Sequence, residues 1–70
     1  MISLEEIQQR LAEEIRQSGI TQAEIAKRLG IKHQQISCYL KGQKMPALDT
    51  FANLCRILDV SSDEILGLKD

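Results

Sequence analysis

Aromatic residues are nearly missing from this chain: its 70 residues include one Tyr, one Phe and no Trp. Leu, Ile and Ala must therefore build the core. A chain of this length buries only about 60% of its extended surface, so that core has to be economical. Residues 1–70 are read as one domain. No apolar run approaches the roughly 18 residues of a membrane span, so no membrane partner is expected. The N-terminus lacks the basic-then-apolar pattern of a secretory signal, and Glu5 and Glu6 stand where such a signal is apolar. A cytoplasmic location is the default expectation. Charged residues make up 27% of the chain and no segment is of low complexity, which argues against disorder.

Cysteine is scarce as well. Cys38 and Cys55 lie 17 residues apart, with no Cys-x-x-Cys spacing and only one His in the chain. Those are too few ligands for a structural zinc. A reducing compartment disfavours a disulfide, so two reduced thiols are expected. The lone His33 has no carboxylate or thiol partner at a fixed spacing, and no Gly-rich phosphate loop occurs. No catalytic residue, metal, cofactor or small-molecule ligand is assigned, and the chain is not expected to be an enzyme.

The net charge of −1 at first argues against nucleic acid, but its distribution reverses that impression. Residues 1–24 sum to −3 and residues 49–70 to −3. Between them, residues 25–48 hold Lys27, Arg28, Lys32, Lys41 and Lys44 with no acid, a sum of +5. A polyanion responds to the local field within about a Debye length rather than to the total charge. An ordinary solvated basic surface would give the same count, so charge alone does not decide.

One six-residue pattern recurs at Ile2-Ser3-Leu4-Glu5-Glu6-Ile7, Ile20-Thr21-Gln22-Ala23-Glu24-Ile25 and Val60-Ser61-Ser62-Asp63-Glu64-Ile65. Each copy places a hydroxyl at the N-cap and Glu at the third helical position, a capping box, between two apolar residues that form a staple. A fourth copy, Ile31-Lys32-His33-Gln34-Gln35-Ile36, keeps the staple but puts Lys at the cap. Lys accepts no hydrogen bond, and a missing cap costs on the order of 1 kcal/mol. Either the weak cap is tolerated, or this helix end, with free N–H groups and a cation, is built to meet phosphate.

Apolar periodicity then predicts five short helices and no strand. They cover about 4–18, 22–29, 33–41, 48–58 and 62–67. The expected inward residues are Leu4, Ile7, Leu11 and Ile15 in the first, Ile25, Ala26 and Leu29 in the second, and Ile36 and Leu40 in the third. In the fourth they are Leu48, Phe51, Ala52, Cys55 and Leu58. Gly19 and Gly42 end the first and third helices. The stretch 21–42 is thus two short amphipathic helices joined by Leu29-Gly30-Ile31, the second opening on Lys32-His33-Gln34-Gln35. That is the layout of a helix-turn-helix.

These residues resemble the phage-repressor and Cro-type helix-turn-helix family, also called XRE-like, over nearly the whole chain. The resemblance rests on Gln22-Ala23-Glu24-Ile25-Ala26, Leu29-Gly30-Ile31, Ile36-Ser37, Lys41-Gly42, and Pro46 with Leu48-Asp49-Thr50-Phe51. It continues through Leu54 and Leu58 to Val60-Ser61 and Glu64-Ile65-Leu66. It implies an all-α, lambda-repressor-like fold of five short helices, with the helix-turn-helix at helices 2 and 3. It also implies a sequence-specific transcriptional regulator of the repressor type, binding double-stranded DNA as a homodimer on a near-palindromic operator.

Roles follow by position. Gln22, Lys32, Gln35, Lys41, Gln43 and Lys44 are expected at phosphates, which orient the protein without specifying sequence. His33, Gln34, Ser37 and Cys38 are expected to read bases. The Gln34 amide suits adenine N6 and N7 as a bidentate pair, worth about 1–3 kcal/mol of discrimination. Cys38 suits a thymine methyl, or is simply an inert thiol. Tyr39 and Cys55 are expected to pack. The dimer surface is expected at Ile57, Ile65, Leu66 and Leu68, although these residues would also serve to close the bottom of the domain.

Departures from the family are informative. The family often pairs Arg in helix 1 with Glu at the end of helix 3, where this chain has Ile15 and Leu40. An apolar pair replacing a buried ion pair is often neutral or stabilising, and it predicts that Ile15 and Leu40 touch. Asp59 stands where a helix-ending Gly is preferred, and Asp tolerates the left-handed conformation better than most residues. Ala47 replaces the usual hydroxyl cap of helix 4. The alternative function is a protein-binding adaptor, such as an antitoxin-like partner. Such an adaptor has no need of the acid-free block.

Overall fold

The computed structural model describes residues 1–68, which form five α-helices and no strand. They are α1 (Leu4–Gln17), α2 (Gln22–Leu29), α3 (His33–Leu40), α4 (Leu48–Leu58) and α5 (Ser62–Leu66). The periodicity located every helix, with ends differing by at most one residue. No helix among the described residues is long and apolar enough to cross a membrane.

Two of the three expected caps form. The Glu6 N–H donates to Ser3 Oγ at 3.1 Å, and the Glu24 N–H donates to Thr21 Oγ1 at 3.1 Å. The third does not, because the Ser61 side chain makes no cap hydrogen bond. The Glu64 N–H donates to the Ser61 carbonyl at 3.2 Å instead. The first turn of α5 is thus tight, and the backbone carbonyl satisfies the amide that the hydroxyl would have taken. At α4 the Ala47 cap offers no side chain, and the Asp49 carboxylate accepts the Thr50 N–H at 2.9 Å in its place. Asp59 ends α4 in the left-handed conformation, φ 56° and ψ 47°, as its place in the family pattern predicts.

The core is aliphatic, as the composition demanded. Each helix contributes one large, fully buried side chain: Leu11, Ile25, Ile36, Leu54 and Ile65. Ile15, Ala26, Tyr39, Phe51, Cys55 and Leu58 complete the cluster, with Leu40 packed against it. Of the predicted apolar pair, Ile15 lies in this cluster and Leu40 packs against it half-buried. No polar or charged residue is buried among the described residues. Around this centre α2 packs on α3 and α4, and α1 packs on α3 and α5.

Three inward expectations fail. Leu4 is 61% exposed and Leu48 is 87% exposed. Each is the first residue of its helix and projects beyond the packed layer. Ala52 is also exposed. Phe51, Leu54, Cys55 and Leu58 set the buried stripe of α4, and Ala52 falls about 100° off its centre. Leu54, which the inward set had not included, lies on that stripe and is fully buried. Cys38 and Cys55 are both free thiols. Burial pushes the Cys55 thiol up from its ordinary value, and its own backbone hydrogen bond offsets this only in part.

Candidate nucleic-acid interface

The turn between α2 and α3 is set by backbone chemistry. Gly30 takes φ 70° and ψ 30°, and a Cβ there would meet nothing within 4 Å. Glycine is thus required by conformation and not by space. The turn closes when the Ile31 N–H donates to the Ala26 carbonyl at 3.0 Å. Half-buried Ile31 then seats the chain against the core. Lys32 is extended, with φ −76° and ψ 145°, and caps α3 without any side-chain hydrogen bond.

The inward face of α3 is Ile36 and Tyr39, with Leu40 half-buried beside them. At about 100° per residue, Gln34 and Cys38 point nearly opposite to Ile36, with Lys41 close to them and Ser37 to one side. His33 and Gln35 flank that face. Gln34, His33 and Lys41 are exposed, whereas Gln35, Ser37 and Cys38 are half-buried. The fold therefore gathers Gln34, Ser37, Cys38 and Lys41 on one outward strip and sets His33 at its margin. Beneath the strip, burial pushes the Tyr39 phenol up from its ordinary value, and the neighbouring Cys38 adds to that.

The phosphate candidates surround this strip. Gln22 is half-buried at the start of α2, while Lys32, Gln43 and Lys44 are exposed. Lys27 and Arg28 are exposed in the last turn of α2. The helix starts, taken together, add to the acid-free block and the cationic cap already read from the sequence. The first turns of α1, α2, α4 and α5 all carry acids, and that of α3 carries none. Only α3 presents an N-terminal dipole not offset by acid, and the residue at its cap is a cation.

One feature was missed because no local motif marks it. Side chains of α1 reach the far end of α3. Arg16 Nη2 donates to the Leu40 carbonyl at 3.3 Å, and Gln8 Nε2 donates to the Gly42 carbonyl at 3.3 Å. The residues expected at a dimer surface divide. Ile65 is 1% exposed and lies in the core, Ile57 and Leu66 are half-buried, and Leu68 is exposed.

The helix-turn-helix family profile (HTH_3) matches residues 11–65. The chain is 37% identical over 62 residues to the uncharacterised HTH-type transcriptional regulator YobD of Bacillus subtilis (strain 168), covering 89% of this chain and 55% of that relative. It is 36% identical over 58 residues to the HTH-type transcriptional regulator ImmR of the same strain, covering 83% of this chain and 46% of that relative. The chain thus spans about half the length of the curated relatives it matches. No solved structure matches it at a significant level. The five-helix architecture, the glycine turn before α3 and these matches agree: the chain belongs to the XRE-like helix-turn-helix family of DNA-binding transcriptional regulators, which are not enzymes.

Proposed function

We propose that this chain is a repressor-like regulator that binds duplex DNA as a homodimer, with α3 in the major groove of a near-palindromic operator. The observation that carries this reading is the coincidence of two patterns. The acid-free block of residues 25–48 covers most of α2 and all of α3, and the outward strip of α3 is polar. An adaptor that binds only protein needs neither. Gln34 is the principal base reader, with Ser37 and Cys38 beside it and His33 at the margin. Gln22, Lys32, Gln35, Lys41, Gln43 and Lys44 hold phosphates.

One monomer offers few base contacts. Two copies on half-sites about 34 Å apart supply enough for specific binding. Leu66, Ile57 and Leu68 are the surface for that pairing, and buried Ile65 supports them from beneath. Residues 1–70 act as one DNA-binding unit, and a cytoplasmic location accompanies the role. Selection of bound sites from a random duplex pool tests the reading. The expected product is a two-fold symmetric site with half-sites one helical turn apart, bound with a steep salt dependence. A chain that retains no duplex even at low salt refutes the reading in favour of the adaptor.

A further inference from the structure

We propose that Arg16 and Gln8 are positioning residues for sequence reading: two α1 side chains that clamp the C-terminal end of α3 and set how its outward strip meets the groove. The proposal rests on the reading of α3 as the recognition helix.

An α-helix ends with four carbonyls that have no partner inside it. In α3 the Ser37 carbonyl accepts the Lys41 N–H at 3.1 Å, Cys38 accepts the Gln43 N–H at 3.0 Å, and Tyr39 accepts the Gly42 N–H at 3.2 Å. The Leu40 carbonyl is met from outside, by Arg16. The Gly42 carbonyl, just past the helix, is met by Gln8. The cation beside a helix C-terminus also suits the dipole.

The donors sit on one stripe of α1. Gln8, Ala12 and Arg16 follow one another at i, i+4 and i+8, so they share a face. The middle residue is small and buried, which lets the end of α3 come close. A groove lined by Gln8, Ala12, Arg16, Leu40, Lys41 and Gly42 runs along the contact. The family's ion pair is replaced here by Ile15 and Leu40, but the guanidinium one position along grips the backbone of Leu40 itself.

Both bonds are exposed to solvent, where a hydrogen bond adds little to stability. Their consequence is geometric. Gly42 has φ 71° and is the pivot between α3 and the loop of Gln43 and Lys44. Fastening its carbonyl removes freedom immediately before the phosphate contacts. From there to Gln34 is roughly 12 Å of helix, so a tilt of about 5° displaces the reading amide by about 1 Å. That exceeds the working range of a bidentate hydrogen bond.

The test uses the full chain, an operator selected from a random pool, and random duplex of equal length. Gln8→Leu removes the donor at unchanged charge. Arg16→Gln removes the guanidinium, and Arg16→Lys returns a cationic donor. The expected result is at least about a fivefold loss in the operator-to-random affinity ratio for Gln8→Leu and Arg16→Gln, the low end of what one bidentate contact discriminates. Arg16→Lys recovers part of it. The amide NMR signals of Gln43 and Lys44 move in the first two variants. Variants that melt lower but keep the wild-type ratio and the Gln43 and Lys44 signals overturn the proposal, because a merely structural bond behaves that way. A wild-type chain that holds no duplex overturns the recognition reading together with the clamp. A wild-type chain that reads its operator no better than the variants do overturns the clamp alone.

Discussion

Replacing Lys32 by Ser sets stability against DNA binding at a single position. Lys32 has the extended backbone of an N-cap but supplies no acceptor. A side-chain cap is typically worth about 1 kcal/mol over Ala. Here the gain is smaller, because the Gln35 N–H already donates to the Lys32 carbonyl at 3.0 Å. The same arrangement at α5 leaves the Ser61 hydroxyl unused. The Lys32 ψ of 145° lies closer to the 153° of Thr21, which does cap, than to the 128° of Ser61. About 0.5 kcal/mol is therefore expected for Lys32→Ser over Lys32→Ala, or about 3 °C in a domain of this size. Both variants remove a cation from the start of α3. Each should lower the slope of log affinity against log salt by about 0.9 for every phosphate that is no longer neutralised. Thermal melting followed by circular dichroism gives the first quantity, and anisotropy of a labelled duplex from about 50 to 200 mM salt gives the second. Equal melting of the Ser and Ala variants refutes the capping argument. An unchanged salt slope refutes Lys32 as a phosphate ligand, and the charged cap is then only a tolerated weak one.

Gln34→Ala should flatten preference at one base pair, losing about 1–3 kcal/mol of discrimination there, as measured by competition with single-base operator variants. Lys44→Ala should instead weaken all duplexes evenly, and a position-specific loss there would contradict its assignment to phosphate. A thiol reagent should modify Cys38 in the native protein and Cys55 only as the protein unfolds, since Cys55 is both buried and pushed up in pKa. Equal labelling rates under native conditions would show that the α4 face is not closed. Leu66→Glu or Ile57→Glu should give a folded monomer in sedimentation, with affinity lost for the full operator and kept for a half-site. A dimer that survives both changes rules out this surface.

What was legible in the sequence was what repeats locally. The cap-and-staple pattern located helix starts because an N-cap involves only a few consecutive residues. The apolar stripe located the core because its period is that of the helix. The errors fell where neighbours decide. Ser61 has the right residue in the right place, yet a tight first turn gives its partner amide to a carbonyl. Leu48 fits the apolar stripe but begins α4, where no other helix covers it. Of the site, the composition of the outward strip was readable, and the inward Ile36 already carried the phase that sets His33 at its margin, although position in the motif grouped His33 with the base readers. The Arg16 and Gln8 bonds link residues 24 and 34 positions apart, and no local pattern foretells such a contact.

The charge distribution leads to one more consequence. A chain of net charge −1 can hold DNA only if its acids lie beyond the reach of the phosphates at working salt. The molecule measures 32 × 23 × 21 Å. At about 0.15 M salt the Debye length is about 8 Å, so a phosphate at the start of α3 responds to the +5 block and little to the acids of α5 and of the α1 face turned away from α3. At about 0.01 M it grows to about 30 Å, close to the long axis of the molecule, and the two −3 segments enter the balance. Counterion release alone gives a straight line of log affinity against log salt. This protein should depart from it, its affinity rising less than linearly as salt falls toward about 0.01 M. Charge-reversing Glu6 of α1 and Asp63 of α5, neither of which lines the groove beside Lys41, to Lys should straighten the low-salt limb and leave affinity near about 0.15 M almost unchanged. A wild-type line that stays straight throughout would mean that the acids are irrelevant at every distance. An equal gain from the reversed acids at the higher salt would place them against the DNA, and the segregation of charge would lose its functional meaning.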